Sequence, residues 1–207
     1  MKKFVHVISV AHKRLPELRV FVQSWINQTS DDWNLTVIHD GPCQDFMDLM
    51  REENYKHPSI KYFCTESRYC DFGHSLREEG LKQSTGRYTI LTNADNYFIP
   101  KTVELLTAKL EEFQKRAKDA PDVIIFDMIH SHNNPGGRRQ PVYNYFRVKY
   151  KPYCIDVSSA AVKTELAQAA GFRDKSHDGD QTYFRDISKL KKKLTIARVD
   201  SVLLVHN

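Results

Sequence analysis

Short apolar runs alternate with amphipathic stretches between residues 4 and 129. The runs are rich in Val, Ile and aromatic residues, and apolar side chains occupy both of their faces. This is typical of a parallel sheet that is covered on both sides. The runs predict five strands: Phe4–Val10, Asn34–Asp40, Ser59–Cys64, Arg87–Asn93 and Asp122–Ile129.

The stretches between these strands have helical periodicity. In the first of them Phe21, Val22 and Trp25 share one face. Ser75 is placed to cap the third helix, and Pro100 stands in the first turn of the fourth. The predicted helices are Leu15–Ile26, Phe46–Glu53, Leu76–Gln83 and Pro100–Arg116. This alternation predicts a doubly wound, mostly parallel α/β sheet with helices on both faces.

The pattern changes after Ile129. Residues 130–153 are rich in Gly, Pro, Arg and Tyr and predict a long loop or an irregular hairpin. A strand in "CIDVSSAAV" then runs into a helix from about Ala160 to Ala170, and "GFRDKSHDGDQTYFRDI" gives a loop and a further helical start. Two short strands, "LTIARVD" and "SVLLVHN", close the chain. We predict one domain over residues 1–207, with two halves that meet near residue 129 on one sheet.

Composition and net charge limit the class of protein but do not identify a ligand. The chain has 207 residues, 41% of them hydrophobic, and a net charge of +5. That length suits one α/β domain, and so small a charge is compatible with anionic ligands but gives little reason to expect nucleic acid as a partner.

The cysteines and the N-terminus indicate the compartment. No pair among Cys43, Cys64, Cys70 and Cys154 has the short spacing of a zinc site, so we expect free thiols in a reducing compartment. The apolar run after Met1 is short and contains polar residues, and it reads as a buried strand instead of a signal peptide. No stretch reaches the ~18 apolar residues of a membrane span. We therefore expect a cytoplasmic protein without a transmembrane segment.

Polar residues follow three of the predicted strands. Ala11–Arg14 follows the first strand, His39–Pro42 the second and Asn93–Asn96 the fourth. Ligands of open α/β sheets bind at the carboxyl ends of the strands, where these segments gather. Neither G-x-G-x-x-G nor G-x-x-x-x-G-K-[ST] occurs, so the phosphates of a nucleotide need another means of attachment, such as a divalent metal.

Four motifs in series resemble the family 2 glycosyltransferases of the GT-A fold. "VISVAHKRLPELRVFVQSWINQT" and "LTVIHDGP" resemble the opening strand, helix and second strand of that family. "GHSLREEGLKQSTGRYTILTNADN" is similar to its next helix and the D-x-D motif. "GFRDKSHDGDQTYF" is similar to its G-G-F-D…E-D segment. The resemblance extends over almost the whole chain and implies transfer of a sugar from a nucleotide-diphosphate donor.

The resemblance also implies roles for individual residues. Asp95, the last position of D-x-D, would hold Mn²⁺ or Mg²⁺ against the donor phosphates, and His206 would be a further metal ligand. Asp180 would be the general base of an inverting reaction. Asp40 would contact a uracil-type base, which favours a UDP-sugar. The implied nucleotide-binding residues are Ala11, His12, Arg14, Asp40, Arg77, Asn93, Ala94 and Asp95.

Two departures from the family pattern leave alternatives open. Asn93 stands where the family has the first Asp of D-x-D, and its amide oxygen can contact ribose or a metal-bound water. "GDQTYF" replaces E-D, so Asp178 is an alternative to Asp180 as the base. Two other functions also stay open. A nucleotidyltransferase would share the nucleotide-binding α/β half and a metal, and a non-catalytic nucleotide-sugar-binding protein would explain Asn93.

The second half of the chain contains further polar candidates. His130 and His132 read as part of a polar loop in preference to a zinc site. The aromatic and basic residues from Arg138 to Tyr153 predict either an acceptor-binding surface or a loop that folds over the donor. Asp127 fits either a turn or the site. The acceptor can be a glycan, a lipid-linked sugar or a protein, and the sequence leaves the donor sugar and the oligomeric state open.

Overall fold

The protein is described by a computed structural model over residues 2–117, 119–130 and 143–207. In this part of the chain a central mixed sheet is flanked by helices. The strands are β1 Val5–Ala11, β2 Trp33–His39, β3 Ile60–Cys64, β4 Tyr88–Asn93, β5 Tyr97–Phe98, β6 Val123–His130, β7 Asn144–Phe146, β8 Ala160–Lys163 and β9 Ile196–His206. The helices are α1 Leu15–Ile26, α2 Gln44–Arg51, α3 His74–Gln83, α4 Thr102–Gln114, α5 Thr164–Ala170 and α6 Gly179–Leu190.

The sheet runs in the order β3-β2-β1-β4-β8-β6-β9-β5, with β7 paired to β6 outside this path. The long ladders are parallel: β1 with β2 and β4, β2 with β3, and β6 with β9. The antiparallel ladders of β8, β5 and β7 are short. The predicted mostly parallel α/β sheet is confirmed.

Close packing holds helices against the sheet, and all residues of β1 are buried. On one face, α3 approaches so closely that a Cβ on Gly80 would lie 2.2 Å from Ile8 Cγ2. A larger residue there would force α3 away from the sheet. Elsewhere in the core, Trp25 of α1 packs at 4.9 Å between ring centroids against Phe98 of β5. These contacts pack α1 and α3 tightly against the sheet.

Several predicted boundaries were wrong. Ala160–Lys163 pairs with β4 and β6, so the helix predicted from about Ala160 begins only at Thr164. Pro100 precedes α4, which begins at Thr102. Ser75 is not a cap, because α3 begins at His74 after a left-handed Gly73, and Ser75 instead donates to Asp71.

The chain's last two predicted strands are one strand, β9. Its parallel pairing with β6 shifts register near Asp127, opposite the polar Asp200–Ser201 pair that suggested a break. Two consecutive irregularities accommodate extra residues of β9 without ending the ladder, and so β9 continues to His206.

Asp127 is a structural residue in the described part of the chain. It is 2% exposed and accepts hydrogen bonds from Tyr145 Oη at 2.7 Å, from the Val148 amide at 2.9 Å and from Arg198. These bonds tie the segment that contains β7 to β6 and β9. Of the predicted loop at 130–153, residues 131–142, which include His132 and Arg138, lie outside the described residues.

Among the described residues, no helix combines the length and the apolar character that a bilayer crossing needs.

The buried His6 predicts how stability depends on pH. Its Nδ1 accepts from the Thr85 amide, its Nε2 contacts Thr36 Oγ1, and burial followed by the charge of Lys61 lowers its pKa from 6.5 to about 4. Between these two pH values His6 is protonated in the unfolded chain but stays neutral in the folded protein. The free energy of unfolding should therefore fall as pH drops from 6.5 to 4, by at most about 1.4 kcal/mol per pH unit from this group.

Urea titrations at several pH values measure this loss. His6→Asn should have a shallower pH slope than the wild type, whatever its stability at pH 7.5. His177→Asn serves as the control, because the His177 side chain is 86% exposed. Equal slopes for His6→Asn and the wild type would contradict the assignment.

Candidate functional site

A cavity of about 340 Å³ opens at the carboxyl ends of β1, β2 and β4. Parallel register creates it, because Ala11 lies opposite His39 and Val10 lies opposite Asn93. The polar segments that follow these strands therefore meet at one edge. The cavity is lined by Val10, Ala11, His12, Lys13, Arg14, Asp40, Arg68, Cys70, Phe72, Gly73, Leu76, Asn93, Ala94 and Asp95. Apart from Arg77, every residue predicted to bind a nucleotide is among them.

The first wall of the cavity is the loop after β1. Lys13 and Arg14 both have left-handed backbone conformations, with φ of 57° and 51°. His39 supports them from below: its Nδ1 lies 2.8 Å from the Gly41 carbonyl, and its Nε2 lies 3.4 Å from the Lys13 amide. Because a carbonyl only accepts, Nδ1 carries the proton, and Nε2 is free to accept from Lys13. Neutral His39 thus fixes the loop that presents Arg14.

The second wall is formed by residues 68–73, around the Asp40 carboxylate. Asp40 accepts from the amides of Tyr69 at 2.8 Å and Cys70 at 3.3 Å, and Arg68 Nε lies 3.6 Å away. Sequence reasoning missed this wall, since only the ends of the first, second and fourth strands were considered. The carboxyl end of the third strand lies at the same edge, and that position was the available signal.

Left-handed residues also shape this second wall. Cys70 and Phe72 have φ of 56° and 60°, although positive φ is unfavourable for residues with a bulky side chain. Gly73 has φ of 80°, and a Cβ there would lie 2.8 Å from Val10 Cγ2. The Phe72 ring is 63% exposed and lies edge-on to His177, 5.7 Å between centroids. Phe72 therefore stands between the cavity and the start of α6.

Arg77 lies behind the cavity and is 3% exposed. Its Nη1 donates to the Phe72 carbonyl at 2.8 Å and lies 3.0 Å from His74 Nδ1, and its Nη2 donates to Asn93 Oδ1 at 2.6 Å. His74 Nε2 lies 2.9 Å from the Ser176 carbonyl. Burial, followed by the charge of Arg77, lowers the pKa of His74 to about 4, so the ring is neutral at neutral pH. Arg77 thereby connects β4 with the segment that precedes α6.

Asp95 is the acidic residue at the floor of the cavity. Its Oδ2 accepts from Arg14 Nη1 at 2.7 Å, while its Oδ1 is buried without a hydrogen-bond partner among the described residues. Hard cations such as Mg²⁺ are bound by one or two carboxylates together with substrate phosphates, and an oxygen in this state fits that chemistry. In the described part of the chain no three acidic, His or Cys side chains are grouped for a metal. A metal here would depend on the ligand for the rest of its coordination.

The two candidate bases lie in different surroundings. Asp178 precedes α6, and its side chain is 74% exposed. Asp180 is partly buried in the first turn of α6, and its Oδ1 has no hydrogen-bond partner among the described residues. Burial raises the pKa of Asp180 to about 6, and the charge of Arg77 opposes that rise. Asp180 does not line the cavity, but the charge of Arg77, which lies behind the cavity, acts on it.

The end of β9 lies beside the floor of the cavity. His206 is 4% exposed, and its Nε2 lies 3.7 Å from Asp156 Oδ2. Asn207 donates through Nδ2 to the Asp95 carbonyl at 2.7 Å and through its amide to Asn96 Oδ1 at 3.2 Å. The predicted burial of this segment is confirmed, and Asn207, which follows His206, contacts Asp95. His130 lies opposite His206 in the β6–β9 ladder.

Comparison with known proteins extends these observations. A family model described as "Glycosyl transferase family 2" matches residues 6–178. A curated relative from Rickettsia bellii (strain RML369-C), described as an uncharacterized glycosyltransferase, is 26% identical over 115 residues, which are 52% of this chain and 15% of the relative. The chain thus spans a small part of that relative.

Solved structures agree in fold. S. aureus TarS 1-349 superposes with a TM-score of 0.74 at 15% identity over 100% of this chain and 60% of its own. Its complex with UDP-GlcNAc gives 0.74 at 17% identity, over 100% and 59%. The mannosyltransferase PcManGT from Pyrobaculum calidifontis, in complex with GDP-Man and Mn²⁺, gives 0.67 at 13% identity, over 99% and 57%. The predicted GT-A fold is confirmed, and the chain spans about three-fifths of these structures.

The contacts of Asp40 predict its effect on the second wall. Asp40→Asn keeps the size of the side chain but loses the negative charge and one acceptor. The amides of Tyr69 and Cys70 should then exchange hydrogen about tenfold faster, because each loses a charge-assisted hydrogen bond. Hydrogen exchange followed by mass spectrometry measures this change. Asp45→Asn, on the exposed face of α2, should leave both amides unchanged. Unchanged exchange in Asp40→Asn would show that the carboxylate does not hold this wall.

Proposed function

Because the chain belongs to glycosyl transferase family 2, we propose that it transfers a sugar from a nucleotide-diphosphate donor, preferably a UDP-sugar, to an acceptor hydroxyl. The observation that carries the proposal is the cavity at the strand ends. It brings Asp40, Arg14, Asn93 and Asp95 together, with Arg77 buried behind them. Base-binding, phosphate-binding and metal-binding groups are thus available within one nucleotide-sized volume.

The base of the donor would lie at the Asp40 end of the cavity. A carboxylate offers about four acceptor positions, and the two amides and Arg68 leave room for a further hydrogen bond. The imide N–H of uracil fits such an acceptor, whereas purines present a different edge. The solved TarS complexes contain UDP and UDP-GlcNAc, which supports the preference for uracil. His12 and Ala11 would contact the nucleoside from the first wall.

The diphosphate would lie between Arg14 and Asp95. Arg14, with its side chain 62% exposed, can leave Asp95 and turn to the phosphates when the donor binds. Asp95 would hold Mn²⁺ or Mg²⁺ through its buried Oδ1, with His206 as a further ligand on the neighbouring strand end. When bound, such an ion supplies positive charge to the departing diphosphate.

The transfer step would use Asp180 as the general base. Asp180 accepts the proton of the acceptor hydroxyl, and the oxygen forms a bond to the anomeric carbon. The bond from that carbon to the diphosphate oxygen breaks on the opposite face, and the nucleoside diphosphate leaves with the electron pair. A single displacement of this kind inverts the anomeric carbon. A pKa raised to about 6 supports the assignment, because a base that titrates near the working pH transfers protons efficiently.

Cys70 gives a direct test of nucleotide binding. It is exposed and lines the cavity, while the three other thiols are half-buried. A maleimide should label Cys70 first. At a hundredfold excess of UDP over its Kd, only about 1% of the protein molecules are free of ligand, so labelling of Cys70 should slow about tenfold or more. GDP and ADP at equal concentration should protect less. Peptide mapping measures the labelling, and Cys70→Ser identifies the Cys70 signal.

Better protection by GDP than by UDP would contradict the uracil assignment. Absence of protection by any nucleoside diphosphate or nucleotide sugar would contradict the proposed function.

The two aspartates can be separated by their kinetics. Asp180→Asn should retain UDP affinity and lower turnover by ~10²–10⁴, since the amide cannot accept a proton. Transfer of the donor sugar to water, measured as release of UDP, provides the assay without a known acceptor. In the wild type this rate should fall as pH drops below about 6, where Asp180 is protonated. Asp178→Asn is the control and should keep most of the wild-type rate.

Loss of turnover in Asp178→Asn together with an active Asp180→Asn would make Asp178 the base. Tight donor binding with no turnover in the wild type would indicate a non-catalytic binding protein.

A further inference from the structure

The orientation of the Asn93 amide is fixed by its neighbour. Arg77 Nη2 lies 2.6 Å from the oxygen Oδ1 of Asn93. A guanidinium only donates hydrogen bonds, so the atom that faces it must be the amide oxygen. The amide nitrogen Nδ2 is therefore on the other branch of the side chain, and Asn93 lines the cavity. Asn93 therefore offers a ligand its Nδ2–H donor, because its Oδ1 already accepts from Arg77.

Arg77 is a buried cation with neutral partners. Its hydrogen-bond partners are the Phe72 carbonyl, His74 and Asn93, and its guanidinium lies 5.6 Å from the centre of the Phe172 ring. Within the described residues, no carboxylate lies within ion-pair distance of Arg77. The charge of Arg77 acts on Asp180 from beyond that distance, so it is only partly balanced. An anion that reaches this wall would stabilise the buried charge further.

We infer that Asn93 and Arg77 form an anion receptor for the diphosphate, in which Asn93 donates its Nδ2–H to a phosphate oxygen and Arg77 supplies the compensating charge. The inference rests on the proposed function. An aspartate at position 93 would pair with Arg77, cancel its charge and turn an acceptor oxygen towards the phosphates. The asparagine instead leaves the positive charge available to the ligand. Asn93 thus determines how strongly diphosphate binding depends on a metal, without being a metal ligand itself.

Titration calorimetry with inorganic pyrophosphate in EDTA isolates this receptor from the base and the sugar. Asn93→Asp should weaken pyrophosphate and UDP about tenfold or more in EDTA, because it removes a donor and adds a negative charge. Uridine, which has no phosphate, should bind equally to both proteins. Added Mn²⁺ should recover more UDP affinity in Asn93→Asp than in the wild type. Asn27→Asp, an exposed position on α1's C-terminal side, makes the same charge change and should alter nothing.

Asn93→Ala is the second variant and covers the case in which the aspartate disturbs folding. It removes the donor but keeps the charge of Arg77, so it should weaken pyrophosphate by several-fold and by less than Asn93→Asp does. Wild-type affinity for pyrophosphate in either folded variant would overturn the inference, as would a wild type that binds no pyrophosphate in EDTA. A wild type that binds pyrophosphate in an Asn93-dependent way but no nucleotide sugar would refute the proposed function alone.

Discussion

The parallel register of β1 with β2 and β4 is the constraint from which the site follows. Ala11 is held opposite His39, and Val10 opposite Asn93, by ladders whose residues are almost all buried. A shift of one residue would turn every side chain of a strand to the other face and would disrupt close contacts such as that of Ile8 with Gly80, so packing specifies the register. The loops that follow β1, β2 and β4 therefore take their positions from the core. Their own contacts adjust details such as the orientation of Arg14.

Arg77 connects the first half of the chain with the second through hydrogen bonds. It reaches Asn93 on one side, and through His74 it reaches the carbonyl of Ser176, a few residues before Asp180. Each link has one chemically permitted direction, since the guanidinium donates, the neutral imidazole accepts at Nδ1 and its Nε2–H donates to the carbonyl. Hydrogen bonds through a single buried cation thus connect the cavity with the segment that leads to the candidate base. Phe72 reinforces the same alignment by bridging the cavity and His177.

The sequence predicts the strands that surround this site better than the loops and side-chain orientations within it. Apolar runs locate β1, β2 and β4 to within a residue, because burial on both faces leaves a strong pattern, and strand ends then place Asp40 and Asp95 at one edge. The helix start near Ala160 was wrong because Ala160 and Ala161 favour a helix locally, whereas pairing with β4 and β6 makes this segment a strand. The wall at residues 68–73 was missed because the end of the third strand was not considered, and the left-handed conformations of Cys70 and Phe72 leave no local signal of their own. The direction in which the Asn93 amide faces depends on Arg77, which is 16 residues distant.

Four residues in the walls of the cavity have a left-handed backbone, and this links ligand affinity to thermal stability. They are Lys13, Arg14, Cys70 and Phe72. Non-glycine residues in such conformations raise the energy of the folded state by ~1–3 kcal/mol each. The ordering of these loops is thus completed during folding, and a ligand meets walls that need little rearrangement, which favours fast and selective capture. Glycine at one of these positions would relieve the strain and also let the loop visit other shapes. Selection for thermal stability alone would favour glycine at these positions, and the cavity would then no longer be preformed.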